Sequence, residues 1–230
     1  MLEEILVSPQ VFEKFPNYSV ALLHVDGVHG GPSNEHSERL LHDAENATRE
    51  LLSATSLDEL PEVVRWRAAF ETFGVKPRVA RSSFEALMRR IDKGLPRIDL
   101  LTDIYNAVSV LHRIPIGGEN LNAYSGPARL VLASGDETFD TRENGETVLQ
   151  HPEPGEVIWR DDIGVTCRRW NWRQCVRTRL DENATSLLFI IDGLGDQSTD
   201  VAMGAADRLT AELMMGWPEA KITTRTLSAY

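Results

Sequence analysis

At 230 residues and 25.7 kDa, with 42% hydrophobic residues, the chain is long enough to close one substantial core, which excludes a disordered tail, a disulfide-stapled miniprotein and a repeat array. Its 35 acidic residues exceed its 24 basic ones for a formal net charge of -11, so general attraction to nucleic acid or an anionic membrane is disfavoured. The charge is uneven: residues 65–113 hold 10 bases against 5 acids, and residues 163–180 hold 5 arginines and no acid, two basic islands in an acidic chain.

In chain order, residues 18–25 predict a strand, apolar and β-branched, stopped by the turn pair Asp26-Gly27. Ser33 opens an amphipathic helix in which Leu40, Leu41, Ala44, Ala47, Leu51 and Leu52 recur at spacings of three and four. Ser56-Leu57-Asp58-Glu59 and Ser82-Ser83-Phe84-Glu85 match the capping box, in which a serine and a glutamate satisfy free amides at a helix start. Gly74 and Gly94 are the expected stops. A further helix runs from 99 to about 111, closed by Pro115 ahead of a Gly117-Gly118 loop.

Beyond Gly126-Pro127 short strands alternate with turns: an apolar run at 128–133, the hairpin pair Asn144-Gly145, and turns at 152–155 and 161–164. Residues 187–191 read as a fully buried strand, and 198–215 as a last helix ended by Gly216 and Pro218. No linker composition divides the chain, so one α+β domain over 1–230 is expected. Residues 1–64 would supply a strand and helix flanking its core, and 201–230 a C-terminal helix and tail.

Two cysteines, Cys167 and Cys175, lack zinc-knuckle spacing and fit a reducing compartment. The start MLEEILVSPQ has no leader character, and no window approaches the roughly 20 apolar residues of a membrane span, so a cytoplasmic protein away from the membrane is expected. His24, Asp26 and His29 offer three metal ligands in six residues, yet neither His36 nor His42 adds a fourth at helical spacing, so no metal and no cofactor are expected. All six histidines lie at or before residue 151, so a Cys-His nucleophile pair would need long-range contact. No phosphate-loop, nucleophile-elbow or H-E-x-x-H motif is present.

The densest constellation is Cys167-Arg168-Arg169-Trp170-Asn171-Trp172-Arg173-Gln174. Read as a strand, it puts Arg168, Trp170, Trp172 and Gln174 on one face and Arg169, Asn171 and Arg173 on the other. The second face would be a row of planar donors suited to a carboxylate, a phosphate or an ester carbonyl. Two other readings stand beside it: tryptophans filling a core while arginines extend to the surface, or a stacking platform for single-stranded nucleic acid. Asn106, amid apolar residues of its helix, must either cap a neighbouring loop or face a pocket.

The helix DLLTDIYNAVSVLHRIPIGGENL and the stretch GEVIWRDDIGVTCRRWNWRQCVRT together resemble the B3/B4 domain of the β subunit of bacterial phenylalanyl-tRNA synthetase, in freestanding form, over roughly residues 65–200. Asp103, Ile104, Asn106 and Pro115 occupy places in the family's D-I-T-N-Y helix motif and G-x-P-x-H-A-F-D turn. The resemblance implies an α+β fold of B3/B4 type, with a β-sandwich-like antiparallel core flanked by helices. It also implies a pocket between helix and sheet that hydrolyses wrongly attached amino acids from tRNA. The synthetase's own substrate is tyrosine on phenylalanine tRNA. Here the family's turn histidine falls on Gly117 and its tyrosine-reading glutamate falls near Cys175, so tyrosine selectivity does not carry over.

The implied site gives Asn106, Arg169 and Arg173 catalytic places, through positioning and oxyanion stabilisation, with Glu119 the candidate general base. Tyr105, Gly117, Gly118, Glu119, Trp170, Asn171 and Trp172 would bind substrate. The expected partner is the 3′ end of tRNA or aminoacyl-tRNA, and the expected guest is an anion facing the arginine row or a small amino acid beside Gly117 and Gly118. The rival is a non-catalytic module that binds RNA or a small carboxylate through the same pocket.

Overall fold

The computed structural model describes residues 2–229, beginning with the two-residue strand β1 (Leu6–Val7), the helix α1 (Pro9–Lys14) and the long strand β2 (Tyr18–Asp26). β2 is buried along nearly its whole length, as its unbroken apolar run requires. Helix α2 (Glu35–Ala54) begins after Asn34 rather than at Ser33. The Asn34 side chain accepts from the amides of His36 and Ser37, and the Ser37 hydroxyl accepts the Asn34 amide in return. Leu40, Leu41 and Ala44 point inward as expected, but Ala47 is exposed and Glu45 and Thr48 are buried. Glu45 can be buried because Arg97 and the Leu95 amide donate to it, and Thr48 donates to the Ala44 carbonyl.

Both serine motifs depart from the capping box. Ser56 accepts the Asp58 amide but starts only a single 3-10 turn, and the helix α3 (Pro61–Glu71) opens at a proline without a side-chain cap. Ser82 precedes α4 (Ser83–Met88) without capping it, because Glu85 is buried and taken up by Arg67 and Arg89. Helix α5 (Leu100–His112) is capped by Asp99, whose carboxylate accepts the Thr102 amide, and ends at Arg113 in the left-handed region. The Gly117-Gly118 pair is not a loop: it lies in strand β3 (Ile116–Asn120).

The β region follows the expected turns. β4 (Arg129–Leu132) is followed by the hairpin β5 (Phe139–Glu143) and β6 (Glu146–Gln150), whose turn residues Asn144 and Gly145 have φ of 52 and 89°. Two positive φ values in a two-residue loop match the right-handed twist of the flanking strands. β7 (Val157–Arg160) returns into β8 (Val165–Arg168) through a turn in which Asp161 accepts the amides of Ile163 and Gly164. Then come β9 (Arg173–Gln174), β10 (Ser186–Leu194), α6 (Ser198–Gly216) and β11 (Lys221–Ser228).

The strands form a five-stranded sheet, order β1-β4-β7-β8-β9, a four-stranded sheet, order β11-β2-β10-β3, and the separate β5-β6 hairpin. Every pairing is antiparallel except β1 with β4. The first 64 residues therefore do more than flank the core, since β2 is the interior partner of both β10 and β11. The segment expected as a C-terminal tail supplies an edge strand. α6 packs on β2 and β10, and α5 packs against α2, α6 and β3. Where the sheets meet, Gln174 donates to the Gly118 carbonyl at 2.6 Å and the Asn120 amide donates to the Thr178 carbonyl at 2.8 Å. No helix among the described residues is long and apolar enough to cross a membrane.

Candidate active site

A cavity of about 130 Å³ lies beside this seam. α5 lines it with Tyr105 and Asn106, β3 with Gly117 and Glu119, and β10 with Asp192, while Trp159, Cys167 and residues 170–174 close the other side. Its size is that of a benzene-sized guest, well below a drug-sized pocket of roughly 300 to 1,000 Å³. Asn106 faces this cavity and caps no loop; among the described residues its side-chain amide has no hydrogen-bond partner.

The Arg-Trp-Asn-Trp-Arg stretch is not a strand with two faces. β8 stops at Arg168, and Arg169 and Trp170 follow with φ of 48 and 67°, turning the chain into β9. Such values are rare for bulky residues and must be held by their surroundings. Glu156 does so at Arg169 by accepting its amide at 3.0 Å, and the Val157 carbonyl accepts the Trp170 amide at 2.6 Å. The turn sends Trp170 into the core, where its ring meets Phe15, Tyr18 and Trp66 at centroid distances of 4.7, 4.9 and 5.1 Å.

The expected arginine row therefore does not form. Arg168 is buried in a two-pronged pair with Glu156, at 3.0 and 2.7 Å. Arg169 does not line the cavity; its guanidinium lies 4.3 Å from the Trp172 ring centroid, and burial lowers its pKa. Arg173 lies 4.5 Å from the same centroid, is exposed, and does line the cavity at its outer side. Asn171 is buried and spends its amide on Asp192. Gly118, an expected binding residue, is packed shut: a Cβ there would meet Leu180 at 2.7 Å and Phe189 and Tyr105 at 3.0 Å. Gly117 has room, its nearest neighbour being Gln174 at 3.8 Å.

The inner wall carries two buried carboxyl groups, Glu119 and Asp192, in place of a row of arginines. Glu119 is buried, and its carboxyl accepts from the Thr178 hydroxyl and, at 3.3 Å, from Gln174; burial nonetheless pushes its pKa up to about 8. Asp192, not singled out by sequence, accepts from the Tyr18 hydroxyl at 2.7 Å and from Asn171 at 3.3 Å, and burial raises it to about 7. The signal that could have found it is a lone acid in the apolar run LLFIIDGL. The two basic islands do meet, since Trp66 and Trp170 belong one to each. Several of their arginines, however, are taken up by buried carboxylates: Arg67 by Glu85, Arg97 by Glu45, Arg168 by Glu156 and Arg177 by Asp161. Cys167 and Cys175 are buried with raised pKa values, the latter to about 11, which argues against a thiolate nucleophile.

The profile of the B3/4 domain matches residues 65–206, a segment that contains every lining residue of the cavity. The chain belongs to the B3/4 domain family. Its α+β architecture of two antiparallel-rich sheets with flanking helices is that of a B3/4-type fold. Among solved structures, this B3/4 protein is similar to an N-terminal fragment of the phenylalanyl-tRNA synthetase beta-subunit from Pyrococcus horikoshii, with 12% identity and a TM-score of 0.44. That similarity covers 95% of this chain and 49% of the other, so the chain spans about half the length of that fragment. A search of the curated proteins gives no match.

Proposed function

We propose that this B3/4 domain hydrolyses the ester of a mischarged aminoacyl-tRNA in trans. The supporting observation is Asn106, a largely buried residue whose side-chain amide has no hydrogen-bond partner among the described residues, in a cavity sized for an amino-acid side chain and rimmed by Arg173. Water adds to the ester carbonyl, the bond from that carbon to the ribose oxygen breaks, and the ribose oxygen takes a proton from the attacking water. Free amino acid and the tRNA hydroxyl are the products. Asn106 orients the acyl group, and Arg173 stabilises charge on the carbonyl oxygen or holds a terminal phosphate. Glu119 is a poor general base at neutral pH, because a carboxyl with a pKa of about 8 keeps its proton there.

A binding module without turnover is the second reading, favoured by the hydrogen bonds that already occupy both oxygens of Asp192. Incubation with a panel of mischarged tRNAs separates the two: ester loss above the buffer rate for at least one amino acid is expected. No loss with any of them would sink the hydrolase reading.

A further inference from the structure

Half of the first basic island is not spent on ion pairs. Of its ten bases, Arg67, Arg81, Arg89, Arg97 and Arg113 hold carboxylates. The other five are exposed and have no ion pair among the described residues, and two of these, Lys76 and Arg78, flank Pro77 on the loop between α3 and α4. They line an open hollow with Glu71 and Gly74. Arg65 lies on the same face of α3 as Thr72, nearly two turns away, and the Thr72 carbonyl accepts from Lys14 of α1 at 3.2 Å. An ammonium group has three donors, so Lys14 keeps two for a partner. Lys14, Arg65, Lys76 and Arg78 thereby gather around the C-terminal half of α3, in a chain whose net charge is -11.

We propose that this group of four bases is a docking surface for an RNA backbone, outside the cavity and in contact with the tRNA away from its 3′ end. The inference rests on the proposed function in taking tRNA as the partner. Exposed guanidinium and ammonium groups with no carboxylate of their own are the groups that replace counterions along a phosphodiester chain. Glu71 offsets one of the two charges in the hollow, and Lys14 and Arg65 restore the excess. The position fits as well as the charge. Ser83, five residues beyond Arg78, lines the cavity, so the two lie at most roughly 18 Å apart. A strand advancing about 3.4 Å per stacked nucleotide covers that span in about five nucleotides, so a 3′ end in the cavity leaves the preceding helix within reach of Lys76 and Arg78. The acidic remainder of the chain repels the same backbone and confines it to this side.

The test is filter binding of full-length tRNA, and of a short single-stranded oligonucleotide with the tRNA 3′ sequence, to the full chain across a salt series. Lys76→Ala combined with Arg78→Ala is expected to weaken tRNA binding about tenfold or more at low salt and to lower the slope of log affinity against log salt by about two, with the oligonucleotide unchanged. Arg39→Ala combined with Arg142→Ala removes the same charge from two other exposed arginines that have no ion pair among the described residues, on α2 and on β5, and should change tRNA affinity by less than about threefold. Both double variants should keep the parent melting temperature, since none of the four side chains is ion-paired among the described residues. Equal losses in the two double variants would reduce the effect to net charge and overturn the surface. So would an unchanged slope, no binding of tRNA by the parent chain, or an equal loss of binding to phosphatidylserine vesicles. In deacylation of mischarged tRNA, a raised KM at unchanged kcat in the Lys76 and Arg78 variant supports the surface; hydrolysis with KM unchanged overturns it and leaves the hydrolase reading standing. Binding of tRNA that depends on these two residues, without hydrolysis by the parent chain, does the reverse.

Discussion

Asn171 donates from Nδ2 to Oδ2 of Asp192 at 3.3 Å, joining the turn after β8 to the end of β10 across the cavity. Tyr18 holds the other oxygen, and burial in this setting lifts the carboxyl to about 7. Because the folded protein binds this proton more tightly than the unfolded chain does, the group's contribution to stability is full below about pH 4 and is lost as pH rises through about 7. Asp192→Asn, which never ionises, is therefore expected to be more stable than the parent at pH 8 by roughly 1 to 4 kcal/mol, with the advantage shrinking toward pH 5. Urea unfolding at the two pH values measures it. An equal difference at both would contradict the buried, near-neutral acid.

Neighbouring glycines should respond in opposite ways. Gly118→Ala drives a Cβ to within 2.7 Å of Leu180 and 3.0 Å of Phe189 and Tyr105, so a loss of about 1 to 3 kcal/mol is expected from overpacking. Gly117→Ala meets only the end of Gln174 at 3.8 Å and should leave stability within about 0.5 kcal/mol while narrowing the cavity. Thermal unfolding of the pair reads both outcomes.

The arginines divide between structure and recognition. Arg168→Ala strands the buried Glu156 and is expected to cost about 3 to 5 kcal/mol. Arg173→Ala, at an exposed residue with no ion pair among the described residues, should leave the melting temperature in place. If it contacts one phosphate, the slope of log affinity for tRNA against log salt falls by about one. Filter binding across a salt series reports the change; an unaltered slope removes Arg173 from the interface.

Asn106→Ala removes an amide that supports nothing else in the described structure, so the fold should be unaffected. Under the hydrolase reading, single-turnover ester hydrolysis should drop by a factor on the order of 10². Loss of stability in place of rate would recast Asn106 as a packing residue.

Most helices and turns were legible because their signals are local. Asn144-Gly145 needs only its own φ preferences, and 99 to about 111 needs only its periodicity and the Asp99 cap. Failures came where distant partners decide. Glu85 looks like half of a capping box until Arg67 and Arg89 arrive to claim it, and Ala47 looks inward until Arg97 makes burial of Glu45 possible. The site shows the same division. Asn106 and Glu119 could be picked out as polar residues in unusual company, whereas the arginine row depended on treating 167–174 as one straight strand. Two positive-φ residues, fixed by Glu156 and Val157 at the start of β7, bend it instead. Asp192 escaped notice because its meaning lies in Tyr18 and Asn171, 174 and 21 residues away.

The pairing of β10 between β2 and β3 also bears on when the cavity can exist during synthesis. Asp192 stands opposite Val20 in the register, so the first strand of the four-stranded sheet to leave the ribosome must wait for one of the last. Until β10 emerges, the apolar length of β2 has neither of its antiparallel partners, because β11 is made later still. Closing contacts of such sequence separation is intrinsically slow, and an unpaired apolar strand is open to wrong partners meanwhile. The nascent chain thus carries a nearly complete set of cavity walls around a missing floor, and it becomes competent to hold a guest in one late step rather than by degrees.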